Sequence, residues 1–146
     1  MKFAEADRLI FNNLGERKGK GGAAMKKRIL LIDDDADIRE LFAISFQIKG
    51  YEVFLAEDGQ RGIEMVNSDP RFDLVITDRQ MPRMLGEEVI RSLKLKYPYL
   101  KIVLMTANLN PAIAAVAEAT GADLVIEKSG DLPDIIHTFL TEGISE

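Results

Sequence analysis

Residues 28–41 read RILLIDDDADIREL, and the unbroken apolar run from Ile29 to Ile32 stops at three consecutive aspartates, Asp33, Asp34 and Asp35. A strand without polar alternation has both faces buried, which is the habit of a parallel sheet covered by helices. The acids then stand at the carboxyl end of that strand. The next segment, 36–49, carries its apolar residues at helical spacing. Asp35 is placed to cap this helix, because its side chain can accept from the first free amides.

The same pattern recurs outward from this stretch. EVFLA (52–56), DLVIT (73–77), KIVLM (101–105) and DLVIE (123–127) are strand-length apolar runs. Between and after them, 60–67, 86–96, 111–120 and 133–141 read as helices, with breakers at Gly50, Pro70, Pro98 and Gly121. Parallel neighbours need a crossover and helices supply it, so five strands alternating with five helices predict a doubly wound α/β domain. The fourth helix, PAIAAVAEA, favours helix intrinsically but offers little area to bury.

Residues 1–24 form an N-terminal extension to a domain that spans 25–146. FAEADRLIFNNL (3–14) spaces Phe3, Ala6, Ile10 and Leu14 as a short amphipathic helix, and GERKGKGGAA (15–24) reads as a flexible linker. Two readings of this extension stand: a docking helix, or an appendage to a domain whose natural start is Met25.

Composition narrows the chemistry. The 146 residues are 47% hydrophobic and 29% charged, ordinary for one globular domain. There is no cysteine and one histidine, His137, so disulfides, thiolate metal sites and histidine-rich zinc sites are excluded. No apolar run approaches the roughly 20 residues of a membrane span, and a cytoplasmic protein is the default expectation. Residues 25–146 hold 14 basic and 21 acidic side chains, a net of −7 that gives no support to nucleic-acid binding.

Ligands of an open α/β sheet collect outside the carboxyl ends of its strands. Those ends carry Asp33 and Asp34, then Asp78, Thr106 and Lys128. If the first and third strands are neighbours, roughly 4.8 Å apart, Asp33, Asp34 and Asp78 converge. Three clustered carboxylates repel, and a divalent cation resolves the conflict; an all-oxygen donor set suits Mg²⁺. Thr106 offers a hydroxyl and Lys128 a compact positive charge, both suited to a phosphoryl oxygen. Asp78 is the candidate nucleophile, since a carboxylate already ionised can attack phosphorus without a general base.

Four segments, ILLIDDD, FDLVITDRQMP, VLMTAN and GADLVIEKS, resemble in order and spacing the receiver domain of bacterial two-component response regulators, over about residues 26–142. The resemblance implies a flavodoxin-like strand order 2-1-3-4-5. It implies a domain that takes a phosphoryl group from a phosphohistidine of a histidine kinase or histidine phosphotransfer protein onto Asp78. Asp33, Asp34, Asp78 and the backbone carbonyl of Gln80 would hold Mg²⁺, and Thr106 and Lys128 would contact the phosphoryl group. Gln80 and Asn108 occupy positions that tune its lifetime. The face of the fourth helix, fifth strand and fifth helix would change its affinity for a downstream protein target, and could join a monomer into a weak dimer.

Four positions depart from the family pattern. Val125 stands where an aromatic residue is common, so the switch face is altered there. Ser129 follows Lys128 in place of proline, implying a differently anchored loop. Arg83 and Leu85 replace a frequent glycine and aspartate, and Arg83 either adds charge to a partner surface or is a solvated loop residue. Two other functions are weighed beside it: a phosphorylation-independent protein-binding module of the same fold, and an Mg²⁺-dependent phosphatase that also acts through an aspartyl phosphate. The phosphatase reading wants a second aspartate two residues beyond the nucleophile, where this chain has Gln80.

Overall fold

The computed structural model describes residues 25–142, so the reading of residues 1–24 as helix and linker lies outside the described residues. Five strands are β1 (Arg28–Ile32), β2 (Glu52–Ala56), β3 (Leu74–Asp78), β4 (Ile102–Thr106) and β5 (Leu124–Glu127). They alternate with α1 (Ala36–Ile48), α2 (Gly59–Ser68), α3 (Gly86–Lys96), α4 (Pro111–Thr120) and α5 (Leu132–Thr141). All pairings are parallel, in the order β2-β1-β3-β4-β5, which is the expected doubly wound, flavodoxin-like sheet.

Period-two alternation divides the apolar strands between two cores. Ile29, Leu31, Leu74, Ile76, Val103 and Met105 face α1 and α5, packing on Phe42, Phe46, Leu132 and Ile136. Leu30, Ile32, Val75, Ile102 and Leu104 face the other way, onto Val66 of α2, Val89, Ile90 and Leu93 of α3 and Ala117 of α4. Burial on both faces accounts for the unbroken apolar runs. In α4 only Ala117 and Thr120 are buried, as its alanine-rich sequence implies.

β3, β4 and β5 each begin one residue later than the apolar runs suggest. Asp73 and Asp123 are entry caps: Asp73 Oδ2 accepts from Arg28 N at 2.7 Å, and Asp123 Oδ2 accepts from Ile102 N at 2.8 Å. The shift matters at the other end, where Asp78 and Thr106 become the last residues of their strands and inherit strand rigidity. α5 begins at Leu132, one residue early, with Pro133 in its first turn, where a missing amide proton costs nothing.

Candidate functional site

The loop after β1 divides the three aspartates among different tasks. Asp35 caps α1, its Oδ1 accepting from Asp37 N at 2.9 Å and Ile38 N at 3.3 Å. Asp33 is fully buried: its amide donates to Ala56 O at 3.1 Å, and its Oδ1 accepts from Asp35 N at 2.9 Å. Its carbonyl accepts from Arg39 Nη1 at 2.6 Å. Arg39, buried one turn into α1, thus fixes the backbone of the loop; its position inside an amphipathic helix gave no signal of this in the sequence. Asp34 is exposed.

Because β1 and β3 are hydrogen-bonded neighbours, Asp78 arrives beside Asp33. Carboxylate oxygens of Asp33, Asp34 and Asp78 all lie within 4.8 Å of one another. Lys128, first residue after β5, donates its amide to Thr106 O at 2.8 Å and extends its ammonium to 2.9 Å from Asp33 Oδ2 and 3.3 Å from Asp78 Oδ1. Lys128 is therefore the partner of the buried Asp33 Oδ2, held as an ion pair.

Electrostatics at this edge are poised. Burial, then the neighbouring Asp33 charge, pushes the Asp78 carboxyl up to about 6, against the pull of Lys128. Burial likewise raises Asp33, although the Asp35 amide and Lys128 oppose it. Burial alone would lower the Lys128 ammonium, but Asp33 and Asp78 outweigh it and the net shift is upward. One cation among three carboxylates leaves negative charge in excess. Three convergent carboxylates sharing one lysine, with no nitrogen or sulfur donor among them, fit a hard, oxygen-seeking divalent cation such as Mg²⁺.

Of the remaining expected residues, Thr106 ends its strand at this edge and Val125 lies away from it. Thr106 is buried, with Oγ1 accepting from Asn108 N at 3.3 Å, while Asn108 and Gln80 are exposed. Val125 is half-buried in the middle of β5, in register with Leu104 rather than Thr106. Ser129 anchors the lysine's loop: its Oγ bonds Asp131 Oδ1, and its carbonyl accepts from Leu132 N at 3.1 Å. Arg83 has φ of 71°, the left-handed region that glycine tolerates best, and its exposed guanidinium pairs with Asp58 Oδ2 at 3.2 Å. Leu85 opens α3 without a side-chain acceptor, and its amide instead donates to Glu88 Oε1 at 2.8 Å.

Two further features escaped the sequence reading. Gly86 packs directly on the end of β3, its amide donating to Arg79 O at 2.8 Å; a Cβ there would fall 2.4 Å from the Asp78 carbonyl oxygen. A glycine opening a helix gives no sign of such proximity until the helix is docked. Glu87, next in the chain, is buried and paired with Arg79 at 2.9 Å.

A doubly wound parallel sheet with an acidic pocket at its carboxyl edge, flanked by one threonine and one lysine, defines a class of phosphoacceptor signalling domain. The comparisons specify it: residues 29–139 match the response regulator receiver domain, and the chain belongs to that family. Response regulator MprA of Mycolicibacterium vanbaalenii is 36% identical over 112 residues, covering 77% of this chain and 48% of the relative; MprA of Mycobacterium ulcerans is 37% identical over the same length. The chain spans about half the length of these curated relatives. Among solved structures, the chemotaxis protein CheY4 of Vibrio cholerae superposes with a TM-score of 0.74 at 27% identity, covering 82% of this chain and 99% of that one. The response regulator TrrA of Thermotoga maritima, solved with Mg²⁺ and BeF, gives 0.69 at 34% identity, covering 77% and 95%. Among the described residues, no helix is long and apolar enough to cross a membrane.

Proposed function

We propose that Asp78 accepts a phosphoryl group from a phosphohistidine of a histidine kinase or histidine phosphotransfer protein, and that the modified domain changes its affinity for a protein target. The observation that carries this reading is the convergence of buried Asp78 with Asp33, Asp34 and Lys128 at one sheet edge. An Asp78 carboxylate oxygen attacks phosphorus, the phosphorus–nitrogen bond breaks, and the imidazole leaves to take a proton from water. Asp33, Asp34, Asp78 and the Gln80 carbonyl are assigned to Mg²⁺, which when bound supplies charge neutralisation and orientation of the phosphoryl oxygens. Lys128 pairs with the transferred group, and the Thr106 hydroxyl turns to donate to it. The exposed side chains of Gln80 and Asn108 control the approach of water and so the lifetime of the aspartyl phosphate. The face of α4, β5 and α5, with Val125 at its strand, carries the altered affinity to a downstream protein and is the surface through which a monomer pairs into a weak dimer.

A landing surface for the donor supports the same reading. Leu41, Ile44 and Ile48 recur at i, i+3 and i+7 on α1 and are 56%, 47% and 75% exposed, an apolar ridge on the helix that leads away from Asp33 and Asp34. In Mg²⁺ the protein is expected to take phosphate from both a small acyl phosphate and a histidine phosphodonor protein. Ile44→Glu should slow the protein donor by about tenfold, the scale of one lost interface anchor, and leave the small donor unchanged. Phosphorylation kinetics with the two donors check this; equal slowing of both would remove the ridge from donor docking, and uptake from neither would defeat the phosphoacceptor assignment.

A further inference from the structure

A second charged pair sits beside the carboxylate pocket, on the opposite face of the sheet. Alternate residues of a strand share a face, so Arg79 projects on the side of Val75, and Thr106 on the side of Ile102 and Leu104, toward α3 and α4. Asp78 is in register with Met105, and Arg79 N donates to Met105 O at 2.9 Å, which makes Arg79 and Thr106 neighbours at the rim of adjacent strands. Arg79 Nε in turn donates to Glu87 Oε2 at 2.9 Å. Glu87 is 5% exposed, and its other oxygen, Oε1, is buried with no hydrogen-bond partner.

Thr106 is the complementary case. Its hydroxyl oxygen accepts from Asn108 N, and among the described residues its proton finds no acceptor. A buried carboxylate oxygen lacking a donor is costly, and any conformer that brings a donor to it is favoured. Rotation about one bond carries a threonine hydroxyl between staggered positions, and threonine populates more than one of them.

We propose that Glu87 is a positioning residue for Thr106: its free oxygen accepts the Thr106 hydroxyl when that side chain is turned away from Asp78, so that Glu87 and the phosphoryl group compete for one proton donor. Arg79 holds the carboxylate in place for this. The proposal rests on the roles of Asp78 and Thr106 given above and adds the resting-state partner. Removing the acceptor weakens the resting rotamer, which shifts the population toward the phosphoryl-bound arrangement.

The test is the affinity for beryllium fluoride with Mg²⁺, a phosphoryl mimic, followed by NMR titration. Glu87→Leu is expected to tighten binding by roughly tenfold, because a hydrogen bond to a charged acceptor is lost from the competing state. Glu87→Gln keeps the shape and a weaker acceptor, and should tighten it by about threefold. Thr106→Val weakens binding by itself, and on that background neither Glu87 substitution should have any effect. Tightening that persists with Thr106→Val, or no tightening in Glu87→Leu and Glu87→Gln while the unmodified protein binds the mimic, overturns the proposal alone. An unmodified protein that does not bind the mimic overturns the phosphoacceptor reading with it.

Discussion

In metal-free buffer the protein is expected to become less stable as the pH rises from 4 to 6, and then to level off. The cause is Asp78, whose carboxyl is raised to about 6 by burial and by Asp33. In the unfolded chain the same group titrates near its ordinary value of about 4, so between these two pH values the native state holds a proton that the unfolded state has released. Stability then falls with rising pH across that window. Two pKa units correspond to about 3 kcal/mol, fully felt at pH 7. Asp33 is shifted the same way and steepens the slope. Asp69, held near 2 first by its hydrogen bond from Arg71, acts in the opposite sense, but only as the pH drops below the window. Urea unfolding at pH 4, 5, 6 and 7 measures the slope. Asp78→Asn is expected to flatten most of it and to gain up to about 3 kcal/mol at pH 7, the linkage free energy of the raised carboxyl, because Lys128 keeps Asp33 as its partner. Saturating Mg²⁺ should also recover the loss, through mass action on the native state. A flat profile in metal-free buffer would mean that the pocket does not strain its carboxylates.

Gly86→Ala is expected to damage both stability and phosphorylation. The new Cβ would lie 2.4 Å from the Asp78 carbonyl oxygen, 2.7 Å from Leu104 Cδ1 and 3.0 Å from Arg79 Cα. Two of these three atoms are backbone, so the contact cannot be relieved by turning a side chain. α3 must retreat or the end of β3 must move, at about 1–3 kcal/mol for overpacking. Either response displaces the residue that must attack phosphorus, and misplacement of about 1 Å can cost on the order of a hundredfold in rate. Gly50→Ala is the control: with φ of 98° it strains the backbone by about 1 kcal/mol, but a Cβ there meets nothing within 4 Å, and Gly50 lies beyond the far end of α1. Loss of stability in both variants with loss of phosphorylation rate in Gly86→Ala alone would separate the positional effect from general destabilisation.

The apolar runs carried the fold because their burial is two-sided: Ile29 to Ile32 is too short for a buried helix and fits a covered strand, and four more such runs repeat the constraint. The pocket was legible for a related reason. Parallel strands bring all their carboxyl ends to one edge, so Asp33, Asp78, Thr106 and Lys128 could be gathered from strand ends alone. What escaped was everything set by side-chain direction across elements. Arg39 reaches back from α1 to the Asp33 carbonyl, Gly86 presses on the Asp78 carbonyl, and Glu87 turns in from α3 to meet Arg79 just past the end of β3. Each is a contact between one helix residue and a strand end, and helical spacing says which residues face inward without saying which backbone atom they meet. The one-residue lag of β3 and β5 has the same origin, since Asp73 and Asp123 look like strand residues until Arg28 N and Ile102 N are seen to claim them.

The central claim is that Asp78 carries the phosphoryl group. Intact-mass measurement after incubation with a small acyl phosphate and Mg²⁺ tests it most directly. The account predicts a gain of one phosphoryl group on the unmodified protein, lost again with time, and none on Asp78→Asn under the same conditions. An equal gain on Asp78→Asn would contradict it.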